Sequence, residues 1–177
     1  MAFGAFDIFL KLDNIEGESK AKGHEKEIVV LSYEQGIDTP TVISGGSGIA
    51  VGRADFSGVR FRKPLDKASI PLLIAAAAGS TFNSARFSFR RAGATADFYK
   101  VTLSKVVVTH MFQRAGTGAQ YPLSFTSLES GANDKGFLDE VTFLYRTILW
   151  EYAIMGPKGS VSGTVKGGWD LVLNKKI

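Results

Sequence analysis

Alternation of apolar and other residues with a period of two constrains this chain more than any other feature, because that period places side chains on the two faces of a β-strand. Ile8, Leu10 and Leu12 share one face of a first strand. Residues 27–35 form a second, continuously apolar from Ile28 to Leu31 and therefore expected to be buried on both faces there. Residues 55–61, 85–91, 98–110 and 141–154 follow, rich in Val, Thr, Phe and Tyr. In the last of these, Val141, Phe143, Tyr145, Thr147 and Leu149 lie on one side and Thr142, Leu144, Arg146, Ile148 and Trp150 on the other, so both faces carry large apolar groups. A final strand, 169–174, follows a hairpin-like segment running from Gly156 to Gly168.

One helix interrupts this pattern at about 69–79. Ser69 is the expected N-cap, Pro71 sits in the first turn where its missing N–H costs nothing, and Gly79 can close the C-terminus. Its surface is apolar or alanine all round, which predicts packing on more than one side, against its own sheet and a neighbouring subunit. Ile70, Leu72, Leu73 and Ile74 are the candidate subunit-interface residues. Seven or so strands with one short helix predict a mainly β fold, a small β-barrel or two-sheet β-sandwich. With 177 residues there is room for one domain, 1–177. A chain of that length buries roughly 70% of its unfolded surface and needs no metal or disulfide staple. No cofactor is expected.

The longest punctuation is residues 38–52, with Pro40 and a glycine-rich run from Gly45 to Gly52. It is too long for a tight turn, so it is expected to be functional or mobile. It lacks the Gly-Lys-Ser/Thr end of a phosphate-binding P-loop, the spacing of a dinucleotide turn and the second glycine of a nucleophile elbow around Ser47. An interaction loop is the simpler reading.

The formal charge of +4 conceals an asymmetry. Residues 1–38 hold eight acids and four bases, a balance of −4, whereas residues 53–114 hold eleven bases and three acids, a balance of +8. Such halves suit either an acidic partner or self-association in which opposite surfaces meet. Arg60-Phe61-Arg62-Lys63 and Arg86-Phe87-Ser88-Phe89-Arg90-Arg91 interleave aromatic and basic residues as single-strand-binding sheets do. On a strand, however, Phe87 and Phe89 point away from Arg86, Ser88 and Arg90, whereas stacking and phosphate neutralisation need one shared surface. Phenylalanine inside and arginine outside is the expectation.

Catalytic constellations are sparse. There is no Cys, which removes thiol nucleophiles, disulfides and Cys-based zinc sites. His24 and His110 lie far apart and in no metal-ligand spacing, and Glu16, Glu18, Glu25 and Glu27 read as an exposed acidic loop and strand start. No catalytic, metal or cofactor-binding residue is expected. The first ten residues lack a basic n-region and a small-residue cleavage site, and the run from Ile70 to Ala78 is too short to span a bilayer.

Several segments read together resemble the Hcp (haemolysin-coregulated protein) family, the tube protein of bacterial type VI secretion systems. They are Asp7 to Leu12 with Ile15 and Gly17-Glu18-Ser19; His24 and Glu27-Ile28; the glycine-rich loop; Phe61 and Lys63 with the stretch from Asp66 to Leu72; and Ala85-Arg86-Phe87 with Arg90-Arg91-Ala92-Gly93. Tyr99 to Leu103, Glu140 to Phe143 with Tyr145, Ile148, Trp150 and Tyr152, and Gly167 to Asp170 with Asn174 complete the set. The resemblance implies a β-barrel-like subunit that closes into a homohexameric ring with a wide channel. Rings would stack into a tube that a contractile sheath propels outward with a spike protein (VgrG) and small secreted effectors. It also implies a structural, non-enzymatic protein made in the bacterial cytoplasm and exported without a cleaved signal peptide, with no membrane insertion. The loop residues Thr41, Ser44, Gly45, Gly46, Ser47, Gly48 and Arg53 become the candidate ring-stacking contact. The chain departs from short family members at 115–132, a longer connection carrying Tyr121 and Phe125. A phage-type tail tube protein, a nucleic-acid-binding β-barrel and a hydrolase built around His24 or His110 are the competing readings.

Overall fold

The structure, a computed structural model, describes residues 6–44, 48–115, 137–156 and 160–177, with backbone alone at 43 and 44. Among these are fourteen strands and one helix: β1 (Phe6–Leu12), β2 (Ile28–Val30), β3 (Ser32–Glu34), β4 (Ile37–Asp38), β5 (Thr41–Ser44), β6 (Gly48–Val51), β7 (Asp55–Phe56), β8 (Val59–Pro64), α1 (Ser69–Ala78), β9 (Thr81–Arg91), β10 (Asp97–Ala115), β11 (Phe137–Leu144), β12 (Thr147–Met155), β13 (Val161–Asp170) and β14 (Lys175–Lys176). The mainly β fold with one short helix is therefore the observed one.

A long hairpin organises the sheet. β10 runs antiparallel to β11 from Ala115 opposite Phe137 to Val107 opposite Leu144, and then to β12 from Ser104 opposite Thr147 to Tyr99 opposite Tyr152. β11 and β12 thus follow one another along the same edge of β10, parted at Tyr145 and Arg146. At that break the inward-facing set changes phase: Val141, Phe143 and Tyr145 are buried before it, Ile148 after it. This explains why both sides of the sequence pattern carry large apolar groups. The expected single strand over 141–154 is two strands, each with one inward face.

The break also lets the two halves take different outer partners. β11 pairs with β8 and β8 with β3, whereas β12 pairs with β13 and β13 with β14. On its other edge β10 pairs with β9, β9 with β1 and β1 with β2. Because β2 and β3 are separated by Leu31 alone, whose N–H donates to the Arg62 carbonyl at 2.7 Å, the pairings return to their origin. The circuit β1, β2/β3, β8, β11, β10, β9 is a closed barrel, which leaves no free edge along that path.

The barrel is filled by rings. Phe61, Phe87 and Phe143 are fully buried, with centroid separations of 4.9 to 6.3 Å and tilted or edge-on geometry. Tyr33 meets Phe87 edge-on at 5.0 Å. Burial pushes the Tyr33 phenol well above its ordinary range, and the Tyr145 phenol up to about 12. Gly17 is required by close approach, since a Cβ there would lie 2.4 Å from the Glu27 carbonyl oxygen.

Four further expectations are corrected. Ile28 and Val30 point inward but Val29 is exposed, so that strand has one buried face, not two. The last long strand is Val161–Asp170, not 169–174: Gly163, Gly167 and Gly168 weaken its apolar signal, and residues 171–174 form a turn. The N-cap of α1 is Ala68, without a side-chain cap. Ser69 is instead the first helical residue, and its buried hydroxyl is occupied elsewhere. The segment read as an interaction loop carries two strands, β5 and β6, as described next.

Candidate functional site

Residues 36–44 and 48–57 form an antiparallel ribbon whose strands pair with each other and not with the barrel sheet. Ile37 and Asp38 pair with Phe56 and Asp55, Gly52 N–H donates to the Pro40 carbonyl at 2.8 Å, and Thr41 to Ser44 pair with Val51 to Gly48. Residues directly opposite share a face. Thr41, Ile49 and Val51 therefore lie on one side, Val42 and Ala50 on the other. Val42, Ile49 and Val51 are 65%, 68% and 65% exposed. A two-stranded ribbon is marginal in water by itself, and one that is apolar on both faces has surface to bury without a partner in its own subunit.

Its root is anchored in three places. Gly36 N–H donates to the Ser57 hydroxyl at 2.7 Å while Ser57 N–H donates to the Gly36 carbonyl at 3.0 Å. The Phe56 ring stacks on Trp169 at 6.4 Å. Arg53 donates through its guanidinium to the Leu171 carbonyl. That carbonyl is itself positioned by Asp170, whose carboxylate accepts from Val172 and Leu173 N–H at 2.9 Å each. These backbone bonds, led by Leu173 and joined by the Arg146 cation, hold the Asp170 carboxyl below its ordinary value.

The candidate stacking residues separate accordingly. Thr41 and Gly48 lie on the exposed ribbon and the Ser44 backbone pairs with Gly48. Gly45, Gly46 and Ser47 lie outside the described residues. Arg53 is at the root, holding the ribbon to the C-terminal turn.

The helix presents a second apolar surface. Ile70 and Ile74, four residues apart and so on one face, are 60% and 62% exposed. Leu72 is fully buried among the barrel residues and Leu73 is half-buried, so Leu72 belongs to the core of its own subunit rather than to an interface.

Beneath α1 lies a buried polar cluster. Lys63 is wholly buried, and its Nζ lies 2.9 Å from Asp139 Oδ2, 2.6 Å from Asp66 Oδ1 and 2.8 Å from the Ser69 hydroxyl. Ser69 in turn donates to Asp139 at 2.5 Å. Next to it on β8, Arg62 pairs with Glu140 directly across the strand. The basic residues of the Arg60-to-Lys63 run are thus partly consumed in cross-strand ion pairs, and Phe61, Phe87 and Phe89 are core, as alternation predicts.

His24 is placed where sequence reading does not put it. It is buried, stacked on Phe9 at 4.2 Å, with Nδ1 2.7 Å from Glu27 Oε2 and Nε2 2.9 Å from Asp97 Oδ1. Glu27 three residues away was a legible signal; Asp97, across the barrel surface, was not. Among the described residues the ring's hydrogen-bond partners are these two carboxylates, and the arrangement works as a strut between the loop before β2 and the start of β10. His110 is exposed and packs edge-on against Phe112. Among the described residues no group of three or more His, Cys, Asp or Glu is arranged to hold a metal. The acidic third and basic middle also meet inside one subunit: Glu16 lies 3.0 Å from Lys67, and Glu27 3.8 Å from Arg86. Lys67 and then Lys26 hold the Glu16 carboxyl below its ordinary value.

Comparison with known proteins accords with this geometry. Residues 9–152 match the family described as "Type VI secretion system effector, Hcp". The chain is 28% identical over 173 residues to Protein hcp1 of Pseudomonas aeruginosa, covering 96% of this chain and 98% of that protein. It superposes on a solved type six secretion system protein with a TM-score of 0.84 at 29% identity, covering 98% of this chain and 100% of the other. It also superposes on Hcp1 from Salmonella typhimurium with a TM-score of 0.73 at 28% identity, over 98% and 99% of the two chains.

Proposed function

The chain belongs to the Hcp family of type VI secretion proteins, and from that premise we propose that copies of it close into a homohexameric ring and that rings stack through the ribbon of residues 36–57. The observation that carries this reading is the exposure of Val42, Ile49 and Val51 on both faces of a hydrogen-bonded ribbon. An element built in this way gains by burial against another copy, and a head-to-tail contact of unlike surfaces repeats until it closes. Thr41, Ser44 and Gly48, with Gly45, Gly46 and Ser47 between them in sequence, supply the ring-to-ring contact; Arg53 fixes the angle of the ribbon. Ile70 and Ile74 of α1 supply an apolar patch for the contact between neighbours within a ring.

The protein is a structural tube component rather than an enzyme, and residues 1–177 act as one domain. Its further partners are the spike protein (VgrG), the contractile sheath and small effectors carried in the channel. It is made in the bacterial cytoplasm and leaves through the apparatus it helps to build. The family match favours this over a phage-type tail tube. Burial of the aromatic residues that a nucleic-acid-binding sheet would expose weighs against that alternative.

Sizing of the purified chain at high concentration together with negative-stain microscopy tests the proposal. Rings of six subunits, with short stacks, are expected. A monodisperse monomer without rings contradicts it.

A further inference from the structure

A cleft of about 450 Å³ opens between the start of β10, β9, β12 and β13, beside the His24 strut. Five cations line it: Lys22, Arg86, Arg90, Lys100 and Lys166. Two carboxylates, Asp97 and Glu151, share the lining. Both are already engaged, Asp97 by His24 at 2.9 Å and Lys100 at 3.3 Å, Glu151 by Lys166. Lys22 and Arg90 have no ion-pair partner among the described residues. Arg90 donates to the Lys22 carbonyl at 2.8 Å and lies over the Phe9 ring at 5.0 Å. Arg86 reaches Glu27 only at 3.8 Å through one terminal nitrogen, and its Nε is shielded from solvent without an acceptor. A guanidinium N–H kept from water with no partner is costly unless something supplies the missing oxygen.

We propose that this cleft is a binding site for a small polyanion, whose phosphoryl or carboxylate oxygens bridge Arg86, Arg90 and Lys22. The physical reasons are three. Guanidinium forks pair with planar or tetrahedral oxyanions through two parallel bonds. Cations gathered in one concave wall reinforce each other's attraction for a multivalent anion and repel one another without it. The volume exceeds that of a single chloride or sulfate and falls in the range of small-ligand sites. Phe98 and Tyr99 on the same wall offer apolar contact for the body of such a molecule. No residue of the ribbon, nor Ile70 or Ile74, lines the site.

Calorimetric titration of the full chain with pyrophosphate, with citrate and with sodium chloride at matched ionic strength tests the site. Saturable binding of pyrophosphate and a raised melting temperature are expected. Arg90→Gln and Lys22→Gln should each weaken it about tenfold, the effect of losing one charge-assisted contact. Equal binding of citrate assigns the site to carboxylates as well; binding of pyrophosphate alone assigns it to phosphoryl groups. If Arg90→Gln fails to fold, the exposed Lys166→Gln, which leaves Glu151 unpaired beside the cleft, gives the same comparison. Heats no larger than those of sodium chloride, or affinities unchanged in the variants, overturn the proposal.

Discussion

The barrel and the ribbon are made of the same residue types and meet opposite fates. In the barrel, Phe61, Phe87, Phe143, Val101 and Leu103 are fully enclosed by a circuit of strands with no open edge. In the ribbon, Val42, Ile49 and Val51 are about two-thirds exposed on two strands that pair only with each other. The first arrangement completes its burial within one chain. The second leaves its apolar surface open in one chain, and on the function proposed above it is this surface, rather than composition, that lets another copy complete the burial.

The comparison can be broken by substitution. Phe61→Ala removes the ring at the centre of the barrel cluster and should cost about 3–5 kcal/mol of subunit stability in a denaturant melt, the loss typical of a large cavity. Stability near that of the parent would mean that the ring cluster does not hold the barrel together. Lys63→Met strips the cation from Asp66 and Asp139 beneath α1 and should cost about 3 kcal/mol, since a buried carboxylate is left unpaired. The double replacement Lys63→Met with Asp139→Leu should recover part of that loss; if it adds to it instead, the ion pair is not the reason. Arg53→Ala should cost only about 1 kcal/mol. Its clearer readout is faster amide exchange over β5 and β6 than over the barrel strands, because the ribbon loses one of three anchors.

Acid acts more weakly still, and in a definite direction. The Glu16 and Asp170 carboxyls are held below their ordinary values of 4.5 and 3.8 in the folded chain. A depressed folded value contributes stability above the unfolded value that is lost as pH falls through the folded one. The melting temperature should therefore be flat around neutrality and decline as pH drops below about 4. In Asp170→Asn that decline should be shallower, and an unchanged slope would detach Asp170 from it.

Sequence alternation made the barrel legible because an inward face repeats at every second residue, as at Ile8, Leu10 and Leu12 or at Phe87 and Phe89. It failed where that rule is suspended. Tyr145 and Arg146 shift the inward phase between β11 and β12, so two one-sided strands resemble one two-sided strand. Gly163, Gly167 and Gly168 leave β13 without an apolar signature. The ribbon reads as a loop since neither face is buried and nothing polar marks an outer side. The apolar character of α1 is legible, but which of its residues face inward is not: Leu72 and Ile70 look equivalent until the helix is docked on β10. The partners of His24 and of Lys63 come from distant strands, at Asp97 and Asp139, and only the closed sheet brings them together.

The central claim, that the ribbon is finished by another copy, is tested most directly by sedimentation of the intact chain beside Ile49→Asp across a range of concentrations. The substitution lies on an exposed face and should change subunit stability by no more than about 0.5 kcal/mol. The parent should sediment as rings that grow into longer stacks with concentration, and the variant as rings that do not grow. Stacks of undiminished length in the variant, or a parent that stays monomeric throughout, would contradict the account.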